Sequence, residues 1–365
     1  MTKHEPLIHV SKRTNALIWW KNWTIRAISV LIALIVSSIF IYGISGLNPI
    51  EVMGAMFKGA CGSPTRTWAT IRDMTLLLCI AIGLAPAFKM RFWNIGAEGQ
   101  VLVGGCVAAA VMIYFADLPT PVMLLMMLVG CAIAGMIWGV IPAIFKAVWN
   151  TNETLFTLMM NYIAMKMTNF FISKWETPPG SNQVAIINMN TKAGWFPEIF
   201  GQKYMLNVII AVILAVALYL YLNYSKQGYE ISVVGESENT ARYAGISVRK
   251  VIIRTMAISG AVCGICGMIG VAGSAHTIAL EVAGGRGFTA IIVAWLAKFN
   301  SAIMALIAAL IVFLQKGAVQ IASQFNLNDY VSDVVTGIIL FFILGSEFFV
   351  NYKVRFRHSG KEVKD

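Results

Sequence analysis

The stretch from Met74 to Ala116, "MTLLLCIAIGLAPAFKMRFWNIGAEGQVLVGGCVAAAVMIYFA", decides what kind of chain this is. Its flanks, 74–88 and 99–116, are apolar enough to lie in a bilayer. Its middle, Arg91 to Gln100, sets an Asn, a Glu, a Gln and two glycines where hydrocarbon would exclude them. Backbone that leaves helix at membrane depth is tolerated only where protein buries it or where it lines a cavity. The stretch predicts two membrane segments joined by a polar break in such a place.

Composition agrees. Of 365 residues, 58% are hydrophobic and 12% charged, against about 45–50% and about 25% in soluble domains. The net charge of +11 suits basic cytoplasmic loops under the positive-inside rule, so no nucleic-acid partner is expected. The basic N-terminus runs too long before its first apolar segment for a cleavable signal peptide. A span needs about 20 apolar residues. Full-length candidates are 27–46, 121–145, 204–223, 255–274 and 301–320. Shorter or interrupted ones are 74–88, 99–116, 154–173, 286–297 and 331–350. The expected fold is all-α: a polytopic transmembrane helical bundle of about ten spans, with broken helices and two related halves. The short segments 74–88 and 287–297 are expected to stop partway. With the N-terminus inside and ten alternating spans, 19 Lys and Arg fall inside and six outside. This predicts a cytoplasmic N-tail (1–25), a transmembrane domain (26–350) and a cytoplasmic C-tail (351–365).

Two connections are long. Residues 174–203 are expected outside, with a turn at Pro178-Pro179-Gly180. Residues 224–250 are expected inside and include a short helical piece over Ser237–Ala244. Bare connections in helical bundles run about 2–8 residues, so a loop of this length needs a purpose of its own.

The polar groups raise the functional question. In "NIGAEGQ" (94–100), Asn94 and Gly96 are placed to open a helix, with Glu98 in its first turn, where an acid suits the dipole. The stretch reads as a capped re-entrant turn, as a substrate or gating element, or as both, because polar groups at membrane depth are costly and mark pathways. A second break, "EVAGGRGFTAIIVAWLAKFN" (281–300), sets Gly284, Gly285 and Gly287 around Arg286 before a short apolar run. Paired interruptions of this kind point to a transport site. Candidate path residues are Asn94, Glu98, Gln100, Asn161, Gly285 and Arg286, and the break glycines are Gly96, Gly99, Gly284 and Gly287. Asn161 reads first as a helix–helix hydrogen-bonding residue and only second as a ligand contact. Gly260 and Gly264, at GxxxG spacing, read as a helix-packing face. The six cysteines lie mostly in apolar runs and read as small buried hydrophobes, and Cys263 and Cys266 lack a second ligand pair for a metal. Trp19, Trp20 and Trp23 read as an interfacial belt.

Several chemistries lack their motifs. There is no GxxxxGK[ST], no HExxH and no nucleophile elbow, and no span carries the row of acids of an ion relay. A transporter without an energy source must borrow one, and 224–250 is the natural place for a motor to press.

"FWNIGAEGQ" (92–100), "NETLFTLMMNYIA" (152–164), "GYEISVVGESENTARYAGIS" (228–247) and "GGRGFTAIIVAWLAKFN" (284–300) resemble, in order, blocks of permease subunits of bacterial ABC importers of the branched-chain amino acid and ribose-type superfamily. The first and last blocks resemble its nucleoside branch, whose partner is a basic membrane protein-type lipoprotein. The resemblance covers roughly residues 70 to 350. It implies a plasma-membrane transport subunit rather than an enzyme, with no cofactor of its own, because a separate cytoplasmic subunit uses ATP. It further implies a homologous second permease and an external lipoprotein that delivers solute. The 228–247 block is similar to the loop whose short helix docks into the ATPase, which places Gly235, Glu236, Ala241, Arg242, Ala244 and Gly245 in coupling. The 94–100 block is similar to a broken helix lining the path. Trp93 stands where the pattern has no extra residue, or a smaller one, between Phe and Asn. A nucleoside is the implied cargo, with a ribose-like sugar or a branched-chain amino acid as the alternative.

Overall fold

The computed structural model describes residues 8–13, 19–46 and 48–356. Residues 1–7 and 14–18 of the predicted N-tail and residues 357–365 of the C-tail lie outside these. The helices are α1 (Trp19–Ser45), α2 (Pro49–Cys61), α3 (Pro64–Lys89), α4 (Ala97–Tyr114), α5 (Thr120–Trp149), α6 (Glu153–Trp175), α7 (Met205–Tyr224), α8 (Lys226–Glu236), α9 (Glu238–Tyr243), α10 (Val248–Gly270), α11 (Arg286–Leu296), α12 (Ser301–Gln324) and α13 (Asp329–Asn351). A π-helical turn, Val271–Ala275, continues α10. Two short strands, β1 (Ile8–Lys12) and β2 (Tyr352–Phe356), pair antiparallel.

Among the described residues, eight helices are long and apolar enough to cross a membrane. The other two of the ten predicted segments are α6, at 23 residues, and α11. At 11 residues, α11 rises about 16 Å and stops short of a bilayer's width, as expected. The expectation for 74–88 is corrected, because α3 is one continuous helix of 26 residues. Its polar start is accommodated by pairing. Arg72 Nε donates to Asp73 at 2.9 Å, the guanidinium lies 5.4 Å from the Tyr204 ring centroid, and Arg286 approaches Asp73 at 3.6 Å. A compensated pair allows the helix to carry charge where an isolated charge would end it. Helix α2 was not predicted.

The described parts of Met1–Thr67 and Phe313–Asp365 form one unit, and Trp68–Val312 forms another. In the first, α1 and α13 are joined by the Arg26–Glu347 ion pair. The amphipathic α2 sets Gly59 against Gln320 and Met56 against Gly317 of α12.

The second unit is built on small residues, and both predicted breaks belong to it. A Cβ at Gly264 would collide with Cys131 O of α5, and one at Gly104 of α4 with Gly264 O. A Cβ at Gly135 would strike Gly260 O. Helices α4, α5 and α10 therefore cross nearly backbone to backbone, the arrangement that favours glycine in membranes, where dispersion and polar contacts drive association. This is the packing face read from Gly260 and Gly264. Helix starts follow capping rules: Asn152 accepts from Thr154 N at 3.0 Å, Ser225 from Gly228 N at 2.9 Å and Ser237 from Thr240 N at 3.3 Å.

Candidate functional site

The first break begins where α3 ends. Arg91 takes a left-handed φ of 59°, Phe92 N returns to Ala87 O at 3.0 Å, and α4 opens at Ala97 with Gly96 as its N-cap. Asn94 fixes that opening, because its Oδ1 accepts from Gly96 N at 3.0 Å. Its Nδ2 reaches Gln100 Oε1 and Ser259 Oγ, both at 3.4 Å. Asn161 of α6 holds the break from the other side. Its Nδ2 donates to Ile95 O at 2.8 Å, and its Oδ1 accepts from Gly99 N at 2.9 Å. Thr157 Oγ1 accepts from Ile95 N at 3.2 Å. Asn94, Gln100, Asn161, Thr157 and Ser259 are all buried. Loose backbone donors and acceptors at this depth would each cost about 1–3 kcal/mol, and the amides and hydroxyls satisfy them.

Glu98 joins this break to the second one. Its two carboxylate oxygens accept from Gly285 N at 2.7 Å and Gly287 N at 2.8 Å. The carboxylate thus caps the N-terminus of α11 rather than only that of its own helix, and negative charge is favoured there by the free N–H groups and the helix dipole. Gly285 lies at φ 75°. A Cβ at Gly287 would lie 2.6 Å from Glu98 N. Those two glycines are what permit the close approach.

Arg286 is half-buried and donates to Glu281 O and Val282 O, both at 3.3 Å. Gly284 is exposed. Trp93 stacks on Trp295 of α11 with centroids 5.2 Å apart and planes at 20°. Each indole is more than 40% exposed. The structure therefore gathers Asn94, Glu98, Gln100, Asn161, Gly96, Gly99, Gly285, Arg286 and Gly287 into one locality, with the carboxamides inside and Gly285, Arg286, Trp93 and Trp295 at its surface. Sequence reasoning missed Thr157, Ser259 and Trp295. A hydroxyl four residues before Asn161 on the same helix face was the available signal for Thr157.

The predicted coupling residues lie elsewhere, on α8, α9 and the turn into α10. Gly235 is buried against Lys89 O at the end of α3. Ala241 is buried, while Glu236, Arg242, Ala244 and Gly245 are exposed. Tyr243, not singled out from the sequence, is 93% exposed. Gly245 turns the chain at φ 75°. Helix α9 is anchored by Ala241 and offers its other faces outward.

The family described as branched-chain amino acid transport system / permease component matches residues 67–344. The chain belongs to this permease family. All four sequence blocks fall within the matched residues. The permease is 34% identical to the guanosine ABC transporter permease protein NupP of Bacillus subtilis (strain 168), over 86% of this chain and 89% of the relative. It is 29% identical to the nucleoside ABC transporter permease protein NupB of Lactococcus lactis subsp. cremoris (strain MG1363), over 82% and 84%. It is 27% identical to the glucose ABC transporter permease protein TsgB13 of Haloferax volcanii, over 92% and 90%. No solved structure gives a match. The permease is a multi-pass membrane protein and a transport component rather than an enzyme. ABC permeases work with an ATP-binding subunit and a substrate-binding protein.

Proposed function

We propose that the permease forms part of the path by which an ATP-driven importer moves nucleosides across the bacterial plasma membrane. The observation that carries this reading is the near full-length similarity to guanosine and nucleoside permeases. The site suits it chemically. A nucleoside is uncharged and rich in hydrogen-bonding groups, and the ionised groups at the breaks have partners within the protein: Glu98 with two amides, Arg286 with Asp73. Asn94, Glu98, Gln100 and Asn161 hold the paired breaks in shape, while Gly285, Arg286, Trp93 and Trp295 offer a surface past which solute moves. Helix α9 and the Tyr243–Gly245 turn receive the ATPase. A second, homologous permease completes the path, and an external lipoprotein delivers solute at the opposite end. Both termini are cytoplasmic in this reading, as the distribution of Lys and Arg favours.

The test is uptake of labelled guanosine into vesicles that carry this chain with its partner permease, ATPase and lipoprotein, with ribose, glucose and leucine as competitors. ATP-dependent uptake blocked by other nucleosides alone is the expected result. Transport of a sugar instead would keep the architecture and replace the cargo, a reading that the Haloferax relative favours.

A further inference from the structure

At the end of α10 opposite α9, the chain forms a solvent-open cavity of about 440 Å³ lined by Lys192, Trp195, Glu198, Lys203, Tyr204 and His276, among others. That volume falls within the range of about 300–1,000 Å³ common to small-ligand sites. We propose that this cavity binds a small organic anion, a phosphate or carboxylate joined to a flat ring.

Charge is the first argument. Lys192 and Lys203 have no ion pair among the described residues, and Glu198 is the one acid in the lining. Two free ammonium groups at one concave site focus positive potential and suit an anion. The shape of the wall is the second. Trp195 and His276 stack face to face, 3.7 Å between centroids and 7° between planes. Tyr204 adds a third ring. Flat aromatic faces beside point charges match a ligand with a ring at one end and an anion at the other.

Backbone strain is the third. Lys192 and His276 both adopt left-handed φ values, 53° and 54°. Such conformations cost of order 1–3 kcal/mol in non-glycine residues and gather at ligand clamps. Local bonds hold both: Lys192 N to Asn188 O at 2.7 Å, His276 N to Val271 O at 2.8 Å, and Ile187 N to His276 O at 2.8 Å. The half-buried His276 ring is thus held beside the cavity by its own backbone bonds and by its stacking on Trp195. The site is distinct from the paired breaks, and its test does not depend on the transported cargo.

The experiment is calorimetric titration of the purified full-length chain in nanodiscs with guanosine monophosphate, guanosine and inorganic phosphate as separate probes. The expected result is saturable binding of the monophosphate, tighter than either fragment, weakened about tenfold or more in Lys192→Gln/Lys203→Gln by loss of charge-assisted contacts. Lys203→Arg alone should keep the affinity, and thermal unfolding of the double variant should match the parent. Three results would overturn the assignment: no binding of the monophosphate, unchanged affinity in the double variant, or guanosine binding as tightly as its monophosphate. Inorganic phosphate binding as tightly as the monophosphate would overturn the aromatic half of the site.

Discussion

Glu98 carries the clearest lesson at the scale of one residue. An acid in an apolar region invites the reading that it meets solute, yet both its oxygens are occupied by Gly285 N and Gly287 N. Glu98→Ala should leave the buried Gly287 N–H and the part-buried Gly285 N–H without acceptors and destabilise the fold, by about 1–3 kcal/mol for the buried donor and less for the other. Glu98→Gln retains one acceptor and turns an NH2 toward the other donor, so it should cost less than the alanine variant. Thermal unfolding in nanodiscs checks the order, and equal stability of all three proteins would remove the cap role. A second residue-scale expectation concerns acidity. Burial, together with the neighbouring charges of Lys203 and Arg72, pushes His276 down to about 4, below the ordinary value near 6.5. A histidine released from the fold protonates first as pH falls, so its stabilising contribution is whole above about pH 6.5 and disappears toward pH 4. Protection from hydrogen exchange, taken relative to the intrinsic rate at each pH, should fall over that window across 183–196, which bonds to the end of α10 through Ile187 and Phe196. The pH dependence should vanish in His276→Gln.

At the scale of the element, legibility depended on whether neighbours override local sequence. The break before α4 was readable because Asn94, Gly96 and Glu98 obey helix-start rules that act within one turn. The short α11 was readable for the same reason. The length of α3 was not, because Arg72 and Asp73 look like a boundary until they are seen to pair with each other and to be met by Tyr204 and Arg286, distant in sequence. That Glu98 caps α11 was beyond reach, since a contact across 187 residues leaves no periodic trace. The α9 helix was legible through its polar face, but its most exposed ring was passed over. Tyr243 is 93% exposed, so Tyr243→Ala should leave thermal stability unchanged. If α9 receives the ATPase, the variant should lose ATP-driven uptake and weaken subunit association by about 2 kcal/mol or more, as buried aromatic anchors do. Co-purification of the ATPase with the variant checks it, and undiminished association would move the docking surface off α9.

At the scale of the whole molecule, orientation follows from joining charge to geometry. The α10 helix with its π-helical turn runs 28 residues, Val248–Ala275, about 42 Å at helical rise against a hydrocarbon core of about 30 Å. Tyr243 precedes its start and His276 follows its end, so the α9 surface and the Lys192 cavity belong to opposite faces of the bilayer. The Lys and Arg of 226–254 exceed those of 174–203, five to three, so the proposed orientation has α9 in the cytoplasm. Single-cysteine labelling tests this directly. Cys61 is the one exposed native cysteine among the described residues, so Cys61→Ser supplies a quiet background. Lys192→Cys in that background should react with a membrane-impermeant maleimide in intact cells. Tyr243→Cys should react only in inside-out vesicles. The reverse pattern would invert the protein, place the cavity on the ATP side and leave α9 facing outward, where no motor could reach it. Labelling of both positions from one side would mean that α10 does not cross, and the span assignment itself would fall.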